Sequence, residues 1–167
     1  ITSIEYSPRL KGQGRFNFLY DGKRKKSFEN KIEEFFSRIA AFCPYLDNLF
    51  FKINSKNTFP HSSGIASSAS AFCSLAFCIV SIEKRHNERM KDDDFYNKVS
   101  FIARLGSGSG SRSISGPLMI WGESRFHSES SNFFAVNFGK KIHSLFKNYQ
   151  KKILIIDDKI KHLSSSD

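Results

Sequence analysis

An α+β fold, with a mixed or antiparallel sheet and a central buried helix, is what this sequence predicts, and three observations predict it. Apolar residues recur at helical spacing in separate stretches. Short runs of strand length, alternating or apolar, lie between and around those stretches. One of the helical stretches carries large apolar side chains all round, so neighbours must cover it on every side. The composition agrees: of 167 residues, 40% are hydrophobic and 25% charged, which suits one globular domain and excludes collagen-like or disordered chains.

Taken in order, Ile1 to Tyr6 alternates as a strand, so the chain is expected to open within the fold. Strands near 1–7 and 14–20, joined by a turn containing Pro8, Gly12 and Gly14, are expected to run antiparallel. A helix over about 27–42 follows from Phe28, Ile32, Phe35, Phe36 and Ile39, a β-β-α opening. Leu49 to Ile53 reads as a strand, 57–65 as an uncharged loop, and 66–82 as the buried helix bearing Phe72, Leu75, Ala76, Phe77, Ile79 and Val80. Asp92, Asp93 and Asp94 supply an N-cap and first-turn negative charge for a helix reaching about Leu105. Leu118–Trp121 and Ile153–Ile156 are expected strands, and 140–150 an expected helix.

The chain carries 26 Lys and Arg against 16 Asp and Glu, a net charge of +10. Such a charge suggests an anionic partner, yet the basic residues spread over the whole chain. The tightest cluster, Lys23 to Lys26, follows Asp21-Gly22 and reads as a solvated turn. The phenylalanines sit at core spacing, and no aromatic-basic RNA-recognition pattern accompanies them. Histidines 61, 86, 127, 143 and 162 show no metal-ligand spacing. Cys43, Cys73 and Cys78 are odd in number and lack a C-x-x-C pair, which points to buried thiols in a reducing, cytoplasmic compartment. From Asn57 to Val80 no charged residue occurs, but Pro60, His61, Gly64 and the serines argue against a membrane span.

Two segments carry chemistry. Pro60-His61-Ser62-Ser63-Gly64-Ile65-Ala66-Ser67-Ser68-Ala69 leads into the buried helix. The amides of a helix's first turn have no intrahelical partner and carry partial positive charge, and small residues there let a phosphate approach. A serine-rich loop that only caps the helix is the alternative. The second segment, Gly106-Ser107-Gly108-Ser109-Gly110-Ser111-Arg112-Ser113, could be a flexible linker. It joins two core elements, however, and carries one Arg whose planar fork suits a carboxylate or phosphate. Neither the Walker A nor the dinucleotide-binding pattern is matched.

Pro60-x-x-x-Gly64-Ile65-x-Ser67-Ser68-Ala69 resembles the phosphate-binding motif of the GHMP kinase superfamily. With Arg104-Leu105-Gly106-Ser107-Gly108-Ser109-x-x-Arg112-Ser113, then Gly116 and Trp121, the chain is similar to the diphosphomevalonate decarboxylase family. His61-Ser62-Ser63 stands where Thr-Ala-Ala is common there, and Gly110-Ser111 where Ala-Cys is common. The resemblance implies a GHMP-kinase-like N-terminal domain over 1–167, incomplete at both ends. The family's first strand with its active-site Lys, and its C-terminal half with the catalytic Asp, would lie outside the chain.

The implied activity is ATP- and Mg²⁺-dependent decarboxylation of mevalonate 5-diphosphate to isopentenyl diphosphate, which this portion would not perform alone. Ser55, Ser62, Ser63, Gly64, Ala66, Ser67 and Ser68 would bind the nucleotide phosphates, with Ser67 reaching Mg²⁺. Ser107 and Ser109 would hold the substrate's phosphoryl oxygens and Arg112 its carboxylate. The expected partner is this small molecule, with no nucleic acid and no membrane; a homodimer is allowed for. A sister kinase that phosphorylates the 3-hydroxyl of mevalonate without decarboxylation is the alternative, with a non-enzymatic nucleic-acid binder behind it.

Overall fold

The computed structural model describes residues 1–59, 66–139, 142–150, 152 and 154. A three-stranded sheet is formed by β1 (Thr2–Pro8), β2 (Phe16–Tyr20) and β3 (Leu49–Ser55), in the order β1-β3-β2. The first two strands therefore do not form the expected hairpin. β3 lies between them, antiparallel to β1 with Ile4 opposite Ile53, and parallel to β2 with Phe18 opposite Ile53. Parallel neighbours require a crossover connection, which α1 (Lys26–Ile39) provides. Local alternation marks a strand but does not say which strand lies beside it.

One face of the sheet is covered. Phe18, Phe51 and Ile53 are buried, whereas Asn17, Lys52 and Asn54 on the opposite face are exposed. Ile32, Phe35, Phe36 and Ile39 form the buried stripe of α1. Phe36 stacks on Phe16 at 5.6 Å and on Phe51 at 5.5 Å between ring centroids, tying α1 to both β2 and β3. Each fully buried phenylalanine contributes roughly 1.5–3 kcal/mol relative to exposure. Phe35 reaches the other way, to Phe72, at 5.1 Å.

Phe72 belongs to α2 (Ser67–His86), which runs one turn beyond the expected end and closes on Lys84, Arg85 and His86, a favourable charge for a helix C-terminus. Its length and composition would suffice to cross a bilayer. Here Ala76, Ile79 and Val80 are fully buried in the core. The third long helix, α3 (Asp92–Gly106), has Lys91 as its N-cap with no side-chain cap, so the expected aspartate cap is replaced by three aspartates within the first turn. They still complement the helix dipole. Cys43 and Cys73 are buried, Cys78 is half-buried, and all three are free.

Beyond α3 the glycine-rich segment folds into a 3-10 turn over Gly108–Arg112 rather than an open loop. The apolar run at Leu118–Trp121 contributes only β4 (Met119–Ile120), paired antiparallel with β5 (Val136–Asn137). Of the expected helix over 140–150, α4 (Ser144–Lys147) forms. The expected strand at 153–156 lies outside the described residues except for Leu154.

Candidate functional site

The two segments singled out in the sequence meet in space. Gly110 sits against both long helices: a Cβ added to it would lie 3.0 Å from the Ala103 carbonyl oxygen of α3 and 3.4 Å from the Ala69 carbonyl oxygen in the first turn of α2. Only a residue without a side chain permits that approach without displacement. Gly106 performs a similar task one turn earlier, because a Cβ there would overlap the Phe72 ring. The glycines are thus packing residues that bring the 3-10 turn onto the N-terminal end of α2.

Four side-chain hydrogen bonds hold the turn and its supports. Ser100, fully buried on α3, donates to the Ser111 carbonyl at 2.8 Å and accepts from the Ala135 amide at 2.8 Å. The Ser111 hydroxyl donates to the Gly108 carbonyl at 2.8 Å. From α2, the Cys73 thiol donates to the Ser113 carbonyl at 3.1 Å. Burial pushes that thiol's pKa up from 9.0 to about 11, so at neutral pH it remains a protonated donor. None of these contacts was singled out in the sequence. A serine inside the buried stripe of α3, between Val99 and Ile102, is the signal that could have found Ser100.

Ser107, Ser109 and Arg112 are carried by or flank this turn, and Ser109 and Arg112 are exposed. Among the described residues, the Arg112 guanidinium and the hydroxyls of Ser107 and Ser109 form no hydrogen bond or ion pair. An arginine that merely anchored the turn would have a carbonyl or carboxylate partner. At the start of α2, Ala66 adopts a left-handed conformation with φ 55° and ψ 43°, which costs an alanine about 1–2 kcal/mol. The hydroxyls of Ser67 and Ser68 also lack a hydrogen-bond partner among the described residues. No acidic residue occupies the first turn, so the positive end of a 20-residue helix dipole is left unneutralised by the helix itself.

Ser62, Ser63 and Gly64 fall in 60–65, outside the described residues. Ser55 stands at the C-terminal end of β3. Its hydroxyl is 2.9 Å from that of Thr2, and its carbonyl accepts from the Asp21 amide at 2.9 Å, both within the sheet region. The Gly110–Ala69 approach brings the segment with Ala66, Ser67 and Ser68 beside the one with Ser107, Ser109 and Arg112. Helix-end amides, hydroxyls and one guanidinium are suited to phosphate and carboxylate oxygens. Such a donor set also fits a nucleotide with Mg²⁺, an ion that takes few ligands from protein and the remainder from phosphate and water.

The fold and the paired motifs define the N-terminal domain type of the GHMP kinase superfamily. Residues 1–132 match the family model of the diphosphomevalonate decarboxylase-like N-terminal domain, and the chain belongs to that family. A diphosphomevalonate decarboxylase from Ganoderma lucidum is 28% identical over 144 residues, covering 86% of this chain and 32% of the relative. The mevalonate diphosphate decarboxylase structure from Enterococcus faecalis superposes with a TM-score of 0.56 at 28% identity, over 81% of this chain and 39% of that one. A structure of MDDEF in complex with MVAPP, AMPPCP and magnesium gives a TM-score of 0.57 at 28% identity, over 81% and 38%. The chain spans about a third of the length of the curated relative.

Proposed function

We propose that the intact protein converts mevalonate 5-diphosphate to isopentenyl diphosphate in an ATP-dependent decarboxylation, and that residues 1–167 supply the portion that binds the nucleotide phosphates and the substrate. The observation that carries this reading is Gly110, whose close approach to Ala69 sets the Ser107–Arg112 turn beside the start of α2. Two phosphorylated ligands that must react with each other need adjoining cradles. The relative in complex with MVAPP, AMPPCP and magnesium supports the same pair of ligands here.

In this reading the α2 amides and the Ser67 and Ser68 hydroxyls hold the nucleotide phosphates. Ser107 and Ser109 hold phosphoryl oxygens of the substrate, and Arg112 orients its carboxylate for loss as CO2. Mg²⁺, when bound, would supply positive charge to the phosphate oxygens during transfer, and the Ser67 hydroxyl would be its protein ligand. These residues bind and orient. A general base and a lysine for the transferring phosphoryl group are not assigned to any residue of the chain, so the chain alone is inactive. The free thiols support a cytoplasmic setting.

Calorimetric titration with AMPPCP and Mg²⁺ tests the nucleotide cradle. Ser67→Glu should weaken binding by about tenfold or more, since a carboxylate would occupy the space and cancel the charge that attracts phosphate. Glutamate in a first helical turn favours α2 itself, so a loss of affinity cannot be assigned to unfolding. Equal affinity in the variant would reject the cradle.

A further inference from the structure

A second cluster lies beside the Gly108 end of the glycine-rich turn. Arg104, in the last turn of α3, donates Nη1 to the Asn132 carbonyl at 3.0 Å, and Trp121 donates Nε1 to the same oxygen at 3.0 Å. One carbonyl thus uses both of its lone pairs on two side chains from different parts of the chain. The guanidinium carbon also lies 5.3 Å from the Phe101 ring centroid and 5.9 Å from that of Trp121, within cation-π range. Its Nε is buried with no hydrogen-bond partner among the described residues. Asn132 is itself fixed, since its Oδ1 accepts from the Glu123 amide at 3.0 Å. The far rim of the indole reaches the turn: a Cβ added to Gly108 would lie 3.8 Å from its Cη2.

We propose that Arg104 and Trp121 are positioning residues, a clamp closed on the Asn132 carbonyl that holds Gly108 and so presents Ser109 and Arg112 in the geometry that binds an anion. The inference rests on the function proposed above for that turn. A glycine-serine sequence has no intrinsic preference for one shape, so its order must come from its neighbours. Ser100 and Cys73 hold the Ser111 and Ser113 end. At the other end the Gly108 carbonyl accepts from Ser111 within the turn, and the Trp121 ring is the side chain from outside the turn that lies beside Gly108. Ring packing alone would explain the Trp121 side chain, but not the convergence of an indole N–H and a guanidinium on one carbonyl.

Trp121→Phe keeps an aromatic ring and removes the N–H, and Arg104→Lys keeps the charge and removes the planar fork. In hydrogen exchange on the ligand-free chain, the Gly110 and Ser113 amides, bonded within the turn at 2.7 and 3.0 Å, should exchange about 3- to 10-fold faster in either variant. Amides of Ala76 to Val80 should be unchanged, and the Kd for mevalonate 5-diphosphate should rise by a similar factor. The double variant should differ little from either single one, because both act through one acceptor. Loss of protection throughout α2 and α3 would reduce the pair to a structural strut and overturn the proposal, as would unchanged exchange in the turn. If the unsubstituted chain fails to bind mevalonate 5-diphosphate while turn exchange still responds, the function assigned to the turn falls and the clamp stands.

Discussion

Arg112 concentrates the argument at the scale of one residue. Its guanidinium is exposed and uncommitted among the described residues, yet its backbone belongs to a turn locked by Ser100, Ser111 and Cys73. A rigid backbone bearing a free cation is the arrangement expected of a ligand-binding arginine, because the ordering cost is met before the ligand arrives. A charge-assisted hydrogen bond contributes roughly 1.5–3 kcal/mol. Arg112→Gln should therefore weaken mevalonate 5-diphosphate binding by about 10- to 100-fold, measured by calorimetry, with little change in melting temperature. Arg112→Lys should recover only part of the loss, since a point charge lacks the two-pronged fork. A lowered melting temperature with unchanged affinity would return Arg112 to an anchoring role.

At the scale of elements, the site depends on how closely α2, α3 and the 3-10 turn approach one another. Gly106 and Gly110 remove side chains from the two tightest points, and Ser100 supplies the polar link between them. Replacing Ser100 with alanine would orphan the Ser111 carbonyl and the Ala135 amide together. Each unsatisfied buried group costs about 1–3 kcal/mol, so Ser100→Ala should lower unfolding free energy by about 2–6 kcal/mol. Alanine is the better helix former, so α3 itself would not be the source of the loss. Urea denaturation followed by circular dichroism measures it; a change below about 0.5 kcal/mol would show that the turn does not depend on this bond.

For the whole molecule, burial of ionisable thiols and phenols sets a limit on alkaline stability. Cys73 is pushed up to about 11, and burial also raises Cys43, Cys78 and Tyr45. The folded chain therefore keeps protons that the unfolded chain has released. Stability from this source is complete below about pH 9, the ordinary thiol value, and falls as pH rises from there towards about 11. The urea midpoint should decline across that interval, and a flat profile would contradict the burial of these groups.

Much of this architecture was legible in the linear pattern. Helical spacing marked α1 and α2 to within a few residues, because an amphipathic or wholly apolar helix writes its environment into its own period, and the aspartate run at 92–94 marked the start of α3. The Ser67-Ser68 and Gly106–Ser113 motifs could likewise be singled out as donor-rich segments, since helix ends, glycines and an arginine carry their chemistry locally. What the sequence could not determine was which segments meet. β3 inserts between β1 and β2 because strand pairing is settled by burying Phe18, Phe51 and Ile53 against α1 and α2, not by proximity along the chain. Likewise, only the structure pairs the Ser55 hydroxyl with that of Thr2 across the β1–β3 edge. The sequence by itself determined the helices and the donors available for an anion. Only tertiary packing decided that the segments bearing Ser67 and Arg112 would lie side by side, because the contact joining them, Gly110 against Ala69, is a close approach of two backbones that no side chain records.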